Sequence, residues 1–222
     1  VIEALIFDFD GLILDTESPD FQVWQEIFRE RGCQLPLSVW AGFIGSMDTF
    51  DPYAYLEQQL GREVNRETLR RDQRRRFGAL LHSPAPLPGV TDYLEDGRRL
   101  GLHLAIASSS PRFWVSGFLD RLGLAGYFDS LSCGDEVSRT KPDPAVYRLA
   151  LERLRVSAGR ALALEDSPNG VQAARRAGIF CVVVPNPLTR QLALDGADLH
   201  LDSLADVSLE QLLHRVNPPD VQ

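Results

Sequence analysis

Residues 3–10 read Glu3-Ala4-Leu5-Ile6-Phe7-Asp8-Phe9-Asp10, an apolar run that ends in two aspartates. A short apolar run bounded in this way reads as a strand buried on both faces, the kind found in parallel sheets. Similar runs recur at Leu102–Ala107, Ala161–Leu164 and Phe180–Val184, with weaker ones at Ser130–Cys133 and Leu199–Leu201. Helical patterns lie between them at Val90–Leu100, Arg112–Leu122, Ala145–Leu154 and Val171–Ala177, and Pro111, Pro142 and Pro168 stand where helices would begin. Strands alternating with helices predict an α/β fold on a doubly wound, mostly parallel sheet.

Residues 17–83 break that alternation. The segment contains no buried-strand run and reads as amphipathic helices near 18–31, 36–43, 50–60 and 64–81, with turn signals at Gly32, Gly45 and Gly61. The Pro-rich stretch Ser83-Pro84-Ala85-Pro86-Leu87-Pro88-Gly89 then returns the chain to the alternating pattern. We expect an all-helical second domain at 17–83, inserted into a core formed by 1–16 and 84–222.

The chain has 222 residues, 44% of them apolar, which is enough to bury a substantial core without staples. Its apolar runs are too short to span a bilayer, and no charged-then-apolar leader is read at its start. Three cysteines with no paired spacing suggest neither a disulfide framework nor a zinc site, so a reducing cytoplasm is the expected location. A formal net charge of −8 argues against a nucleic-acid partner, whose phosphates call for a basic surface. Nothing in the sequence implies a membrane, and a monomer or weak dimer is expected. Of 23 basic residues, 22 are Arg and one is Lys141. A lone ammonium in an Arg-rich chain points to a task that a compact charge performs and a planar fork does not.

In open α/β sheets, ligands bind beyond the carboxyl ends of the strands, so the polar residues following each apolar run are the candidates. They are Asp8 and Asp10; Ser108, Ser109 and Ser110; Lys141, in the loop after the weak third strand; and Glu165 with Asp166. Asp8 and Asp10, two apart at a strand end, leave the same face, where their mutual repulsion favours a cation or a proton. A calcium loop of the EF-hand kind fails, because the position of its closing Glu holds Pro19. Taken alone, Glu165-Asp166-Ser167-Pro168 has an equally good reading as a helix cap, and Ser110 as the cap at Pro111. Together, acids from two strand ends suit magnesium, and Ser108, helix-start amides and Lys141 suit a phosphoryl group.

In order along the chain, Asp8-Phe9-Asp10-Gly11-Leu12, Ser108, Lys141-Pro142-Asp143-Pro144 and Glu165-Asp166-Ser167 resemble the four motifs of the haloacid dehalogenase superfamily. The longer string from Asp8 to Asp15-Thr16-Glu17 is similar to the branch holding β-phosphoglucomutases and phosphoglycolate-type phosphatases. The resemblance implies a Rossmann-like core, a helical cap between the first two motifs, and phosphoryl transfer through an aspartyl-phosphate. It further implies that Asp8 is the nucleophile and Asp10 the acid/base. Ser108, Ser109 and Lys141 would then bind the phosphoryl oxygens, and Asp8, the Asp10 carbonyl, Asp166 and Glu165 (directly or through water) would hold Mg2+.

The substrate is expected to be a small phosphorylated metabolite. In the related mutases, the fourth residue after the equivalent of Thr16 is a His, and Lys and Arg flank the equivalent of Gly45. Here these positions read Asp20 and Ile44-Gly45-Ser46-Met47-Asp48. That loss of cationic contacts favours hydrolysis of a monoester, such as a sugar phosphate or a phosphoglycolate-like compound, over mutase chemistry. Thr16, Asp20, Trp24, Gly45, Ser46 and Arg112 are the candidate substrate contacts. The Arg-rich run from Arg70 to Arg76 reads as the solvated face of a helix. From another functional class, a phosphorylation-gated receiver domain uses a similar set of groups but places its acid pair and its phosphorylated Asp on different strands. A ligand-binding pseudo-enzyme is disfavoured because no motif residue is missing.

Overall fold

The run ending at Asp8 forms β1 (Ala4–Phe7), and the other strands are β2 (His103–Ala107), β3 (Ser130–Ser132), β4 (Ala161–Glu165), β5 (Phe180–Val183) and β6 (Leu199–His200). The computed structural model describes residues 1–42, 44–45 and 50–216. All six strands pair in parallel in the order β3-β2-β1-β4-β5-β6, so β1 is central and flanked by strands from both halves of the later chain. Every β1 residue is fully buried. Leu5 and Phe7 join the apolar layer under α5 (Val90–Arg99), α6 (Arg112–Leu122) and α9 (Leu209–Val216). Ala4 and Ile6 join the layer under α7 (Ala145–Leu154) and α8 (Pro168–Arg176). A large apolar side chain contributes about 1.5–3 kcal/mol on leaving water, so burial on two faces fixes where the strand tip stands.

Between β1 and α5 the chain forms α1 (Glu17–Arg29), α2 (Leu37–Trp40), α3 (Pro52–Leu60) and α4 (Arg66–Leu80). These helices gather an apolar cluster of their own, with Phe21, Trp24 and Phe28 from α1, Trp40 from α2, Leu56 from α3 and Leu69 from α4. Trp24 stands edge-on to Tyr53 at 5.0 Å and Phe21 leans on Trp40 at 5.7 Å. The polar face of α4 is laced outward: Arg76 bonds Glu30 at 2.5 and 2.9 Å and Asp72 at 2.8 Å.

Helix starts differ from the periodicity where a cap intervenes. The helix expected from 50 begins at Pro52, because Asp51 Oδ1 accepts from the Tyr53 and Ala54 amides. The one expected from 64 begins after Asn65, which accepts from the Thr68 amide. In the same way α8 starts at Pro168 rather than 171, capped by Ser167. The helix expected over 36–43 is a single turn at 37–40. α9 has no counterpart in the sequence reading, although Leu209, Leu212, Leu213 and Val216 carry helical spacing. No described helix is long and apolar enough to cross a membrane.

α9 is pinned to the core through its approach: the buried Tyr93 hydroxyl of α5 donates to the Val207 carbonyl at 2.8 Å. Removing that donor strands a carbonyl just before α9. Tyr93→Phe should therefore lower the unfolding free energy by about 1–2 kcal/mol, read as a lower urea midpoint at unchanged slope. An unchanged midpoint would show that the carbonyl regains a partner.

Candidate active site

The chain turns from β1 to β2 and β3 on one side, then crosses to β4 on the other. Strand order therefore reverses at the β1/β4 boundary, where an α/β sheet opens its binding crevice. Asp8 follows β1 there, its amide bonded to the Leu164 carbonyl at 2.9 Å, while Glu165 ends β4 and Asp166 follows it. All three are buried.

Lys141 reaches this crevice with its whole side chain out of water. Its Nζ donates to Asp8 Oδ1 at 2.5 Å and to Glu165 Oε1 at 2.6 Å. The Tyr147 hydroxyl donates to the same Glu165 oxygen at 2.6 Å. Glu165 Oε2 accepts from the Asp166 amide at 3.2 Å and the Ser167 hydroxyl at 3.4 Å. Gly170 of α8 packs so closely that a Cβ there would fall 1.9 Å from Oε2. Burial opposes the Lys141 charge, yet Asp8 and Glu165 outweigh it and hold the amine above its ordinary range. Burial also pushes Asp8 up to about 7, with Glu165 and Asp10 adding to the rise and Lys141 opposing it. Asp166 is driven well above the usual carboxylate range by burial, then by Asp8 and Glu165.

Asp8, Glu165 and Asp166 bring carboxylate oxygens within 4.8 Å of one another, so three acids face one ammonium. Asn186, in the loop after β5, holds Asp166 Oδ2 at 2.8 Å and the Gly11 carbonyl at 3.2 Å. Asp166 Oδ1 is buried with no hydrogen-bond partner. Surplus negative charge beside an unpartnered carboxylate oxygen fits a hard divalent cation with oxygen ligands. Asp8 and Asp166 are placed to hold it. Glu165, expected as a direct or water-mediated partner of that cation, completes the three-acid group; its two oxygens also accept from Lys141, Tyr147, the Asp166 amide and Ser167, so it clamps Lys141 as well.

Asp10 sits at the wall of the adjoining cleft with both side-chain oxygens engaged. Oδ1 accepts from the Thr16 hydroxyl at 2.8 Å and the Trp114 indole at 2.9 Å. Oδ2 accepts from the Ser110 hydroxyl at 2.6 Å and, more loosely, from Ser108 at 3.4 Å. The cleft is about 330 Å³ and is lined from the core by Asp8, Asp10, Ser108 and Trp114, and from the helical insert by Glu17, Asp20, Gly45, Gln73 and Phe77. Asp20 accepts from the Gln73 amide at 2.6 Å. Burial pushes its carboxyl up to about 6 against that bond, and Asp10 adds to the rise. Glu17 stands well above its usual range through burial and then the charges of Asp10, Asp20 and Asp8. Arg74 adds a guanidinium at the exposed rim.

The insert is tied to the strand ends at one loop. The Ser109 hydroxyl donates to the Gly45 carbonyl at 3.0 Å, and Asn169 Nδ2 donates to the Ile44 carbonyl at 2.8 Å. Gly45 has φ +77°, and a Cβ there would lie 2.2 Å from Ser167 Oγ. That position therefore needs glycine for both its backbone and its contact.

The structure thus brings Asp8, Asp10, Ser108, Ser109, Lys141, Glu165 and Asp166 to one crevice, with Thr16, Asp20 and Gly45 around it. Two expected substrate contacts are corrected. Trp24 is turned into the insert's aromatic cluster, 4% exposed. Arg112 points away from the cleft to the Leu131 carbonyl and Glu136, at 2.7 and 2.8 Å. Ser46 lies outside the described residues. The sequence assigns no role to Trp114, Asn186, Tyr147 or Glu17, and places Ser110 among the polar residues after β2 with a helix cap as its own reading. Asn186 was within reach, since it follows a strand end as the other candidates do. Trp114 lies within a helix and gave no such signal.

The family model for haloacid dehalogenase-like hydrolases matches residues 5–184. YhcW of Bacillus subtilis (strain 168) is 47% identical over 217 residues, spanning 98% of this chain and 99% of that one. The phosphorylated carbohydrates phosphatase of Thermotoga maritima is 34% identical over 182 residues, with 80% and 82% of the two chains covered. Among solved structures, CbbY from Rhodobacter sphaeroides in complex with xylulose-(1,5)bisphosphate is similar at a TM-score of 0.77 and 32% identity, covering 96% of this chain and 99% of that one. With Asp8 and Asp10 on one strand tip and a helical insert behind them, the receiver-domain reading falls. The chain belongs to the haloacid dehalogenase-like hydrolase family and is a phosphoric monoester hydrolase.

Proposed function

We propose that this enzyme is a magnesium-dependent phosphatase of a small phosphorylated metabolite, a sugar phosphate or phosphoglycolate-like monoester, acting through an aspartyl-phosphate on Asp8. The observation that carries the reading is the buried Asp8–Lys141–Glu165 array beside the unpartnered oxygen of Asp166. Phosphoryl transfer is mainly positioning and charge neutralisation, and this array supplies both.

In the reading, an Asp8 carboxylate oxygen forms a bond to phosphorus as the bond from phosphorus to the ester oxygen breaks. Asp10 gives its proton to that departing oxygen. Asp10 then takes a proton from the water that attacks phosphorus, and cleavage of the Asp8–phosphorus linkage restores the carboxylate and releases phosphate. Lys141 and Ser108 stabilise charge on the transferring group, and Lys141 keeps Asp8 oriented. Asp8, Asp166 and the Asp10 carbonyl would hold Mg2+, which when bound supplies Lewis-acid neutralisation of the phosphoryl oxygens. Residues 17–83 serve as a cap domain on a core of 1–16 and 84–222.

The cap side of the cleft supports a hydroxyl-bearing monoester. Glu17 and Asp20 offer hydrogen-bond partners to sugar hydroxyls, whereas a second phosphate would meet two acids and, at the rim, among the described residues only the exposed Arg74. The bisphosphate held by CbbY is the counter-case to measure. A phosphate-release screen over sugar monophosphates, phosphoglycolate, nucleotides and xylulose 1,5-bisphosphate tests the reading. It should include β-glucose 1-phosphate primed with glucose 1,6-bisphosphate, where isomerisation outrunning phosphate release would instead establish a mutase.

Turnover of p-nitrophenyl phosphate should vanish on chelation and return with Mg2+. Asp8→Asn should lower kcat by more than about 10³-fold with an unchanged circular dichroism spectrum; persistence of activity in either experiment would contradict the assigned roles. Asn186→Ala frees the second oxygen of Asp166 and should weaken Mg2+ binding by roughly 10- to 100-fold, measured by titration calorimetry. Equal affinity would remove Asn186 from the cation's support.

A further inference from the structure

Trp114 stands between the helical insert and Asp10. On one side its indole N–H donates to Asp10 Oδ1 at 2.9 Å, beside the Thr16 hydroxyl on the same oxygen at 2.8 Å. On its faces it meets Phe118 of α6, edge-on at 4.7 Å, and Phe77 of α4, tilted by 31° at 5.8 Å. Phe118 in turn packs on Phe9, the residue preceding Asp10, with ring centroids 6.4 Å apart. The indole is thus set by a core ring, by an insert ring and by a hydrogen bond from its N–H. An indole N–H only donates, so it favours the carboxyl oxygen as acceptor and leaves a carboxyl proton no place on Oδ1. The Thr16 hydroxyl shares Oδ1 but can rotate to donate or accept, so the fixed donor there is the Trp114 indole. The proton Asp10 exchanges therefore belongs on Oδ2, where the Ser110 and Ser108 hydroxyls can rotate to accept or donate.

We propose that Trp114 is a positioning residue for Asp10: it holds Oδ1 as an acceptor, directs proton transfer to Oδ2, and links that alignment to the insert through Phe77. The proposal rests on Asp10 serving as the acid/base, and its test separates the two. Phenyl phosphate and p-nitrophenyl phosphate share a shape, so loss of a ring contact or loosening of the cleft weakens both alike. They differ in the departing oxygen. p-Nitrophenolate leaves without a proton, whereas phenolate, of pKa about 10, gains from one.

The measurement is kcat/KM on both esters for the wild type, Asp10→Asn, Trp114→Phe and Phe77→Ala. Well-placed general acids contribute about 10²- to 10⁴-fold, so Asp10→Asn should depress phenyl phosphate far more than p-nitrophenyl phosphate. Trp114→Phe keeps an aromatic ring and removes the N–H. It should reproduce the split in part, with phenyl phosphate falling about tenfold more than p-nitrophenyl phosphate. Phe77→Ala, which leaves the indole N–H in place, should show a smaller split of the same sign and carries the test if Trp114→Phe does not fold. A split in Asp10→Asn with equal losses on both esters in Trp114→Phe and Phe77→Ala would overturn the positioning role while leaving the acid/base assignment standing. No split in Asp10→Asn would overturn both.

Discussion

The ammonium of Lys141, buried between Asp8 and Glu165, is the interaction on which the rest of the crevice depends. Removing one partner from a buried ion pair destabilises by about 3–5 kcal/mol, because a bare charge remains. The chain surrounds the pair with donors accordingly. Tyr147 from α7, the Asp166 amide and Ser167 at the start of α8 all converge on Glu165, and glycine at 170 leaves room for its carboxylate. Glu165 thereby fixes Lys141, and Lys141 fixes Asp8 at the tip of the fully buried β1. An arrangement this dry makes each charge act at short range with little screening, which is what a developing phosphoryl transition state requires.

The core of the site was legible because one rule governs it. Strand ends in a doubly wound sheet converge, so Asp8, Asp10, Ser108, Lys141, Glu165 and Asp166 could be gathered from separate apolar runs without coordinates. The same rule extends to Asn186, which follows β5. What one sequence does not encode locally is how a carboxylate is shared among its neighbours. Glu165 and Asp166 are adjacent and chemically alike, yet one has both oxygens filled and the other keeps one free. That division depends on donors from α7, α8 and the loop after β5, elements that meet only in the folded chain.

Positions in the helical insert follow a different logic, and the reading there was correspondingly mixed. Trp24 and Asp20 both lie on α1. Four residues apart, they share a face by spacing, yet Trp24 enters the aromatic cluster while Asp20 reaches the cleft and Gln73. Large aromatic side chains gain most from burial, so a tryptophan near a substrate cleft competes with the insert's need for a core, and here the core wins. For Arg112, the competing partners are the Leu131 carbonyl of the edge strand β3 and Glu136 just after it.

Core and insert thus divide the work along lines set by their packing. The strand tips are held by burial on two faces and by hydrogen bonds through several elements, giving a rigid set of charges indifferent to what the phosphoryl group is attached to. Among the described residues, the insert meets those tips through Ser109 and Asn169 on the 44–45 backbone, Gly45 against Ser167 and Phe77 against Trp114. Glu17 and Asp20, which in the proposed reaction would meet the leaving group, belong to the insert, whereas Asp10 takes its hydrogen bonds from Thr16, Ser108, Ser110 and Trp114. In the proposed reaction, specificity can then vary with Glu17 and Asp20 while the hydrogen bonds to Asp10 come from core residues, and Phe77 against Trp114 joins the two.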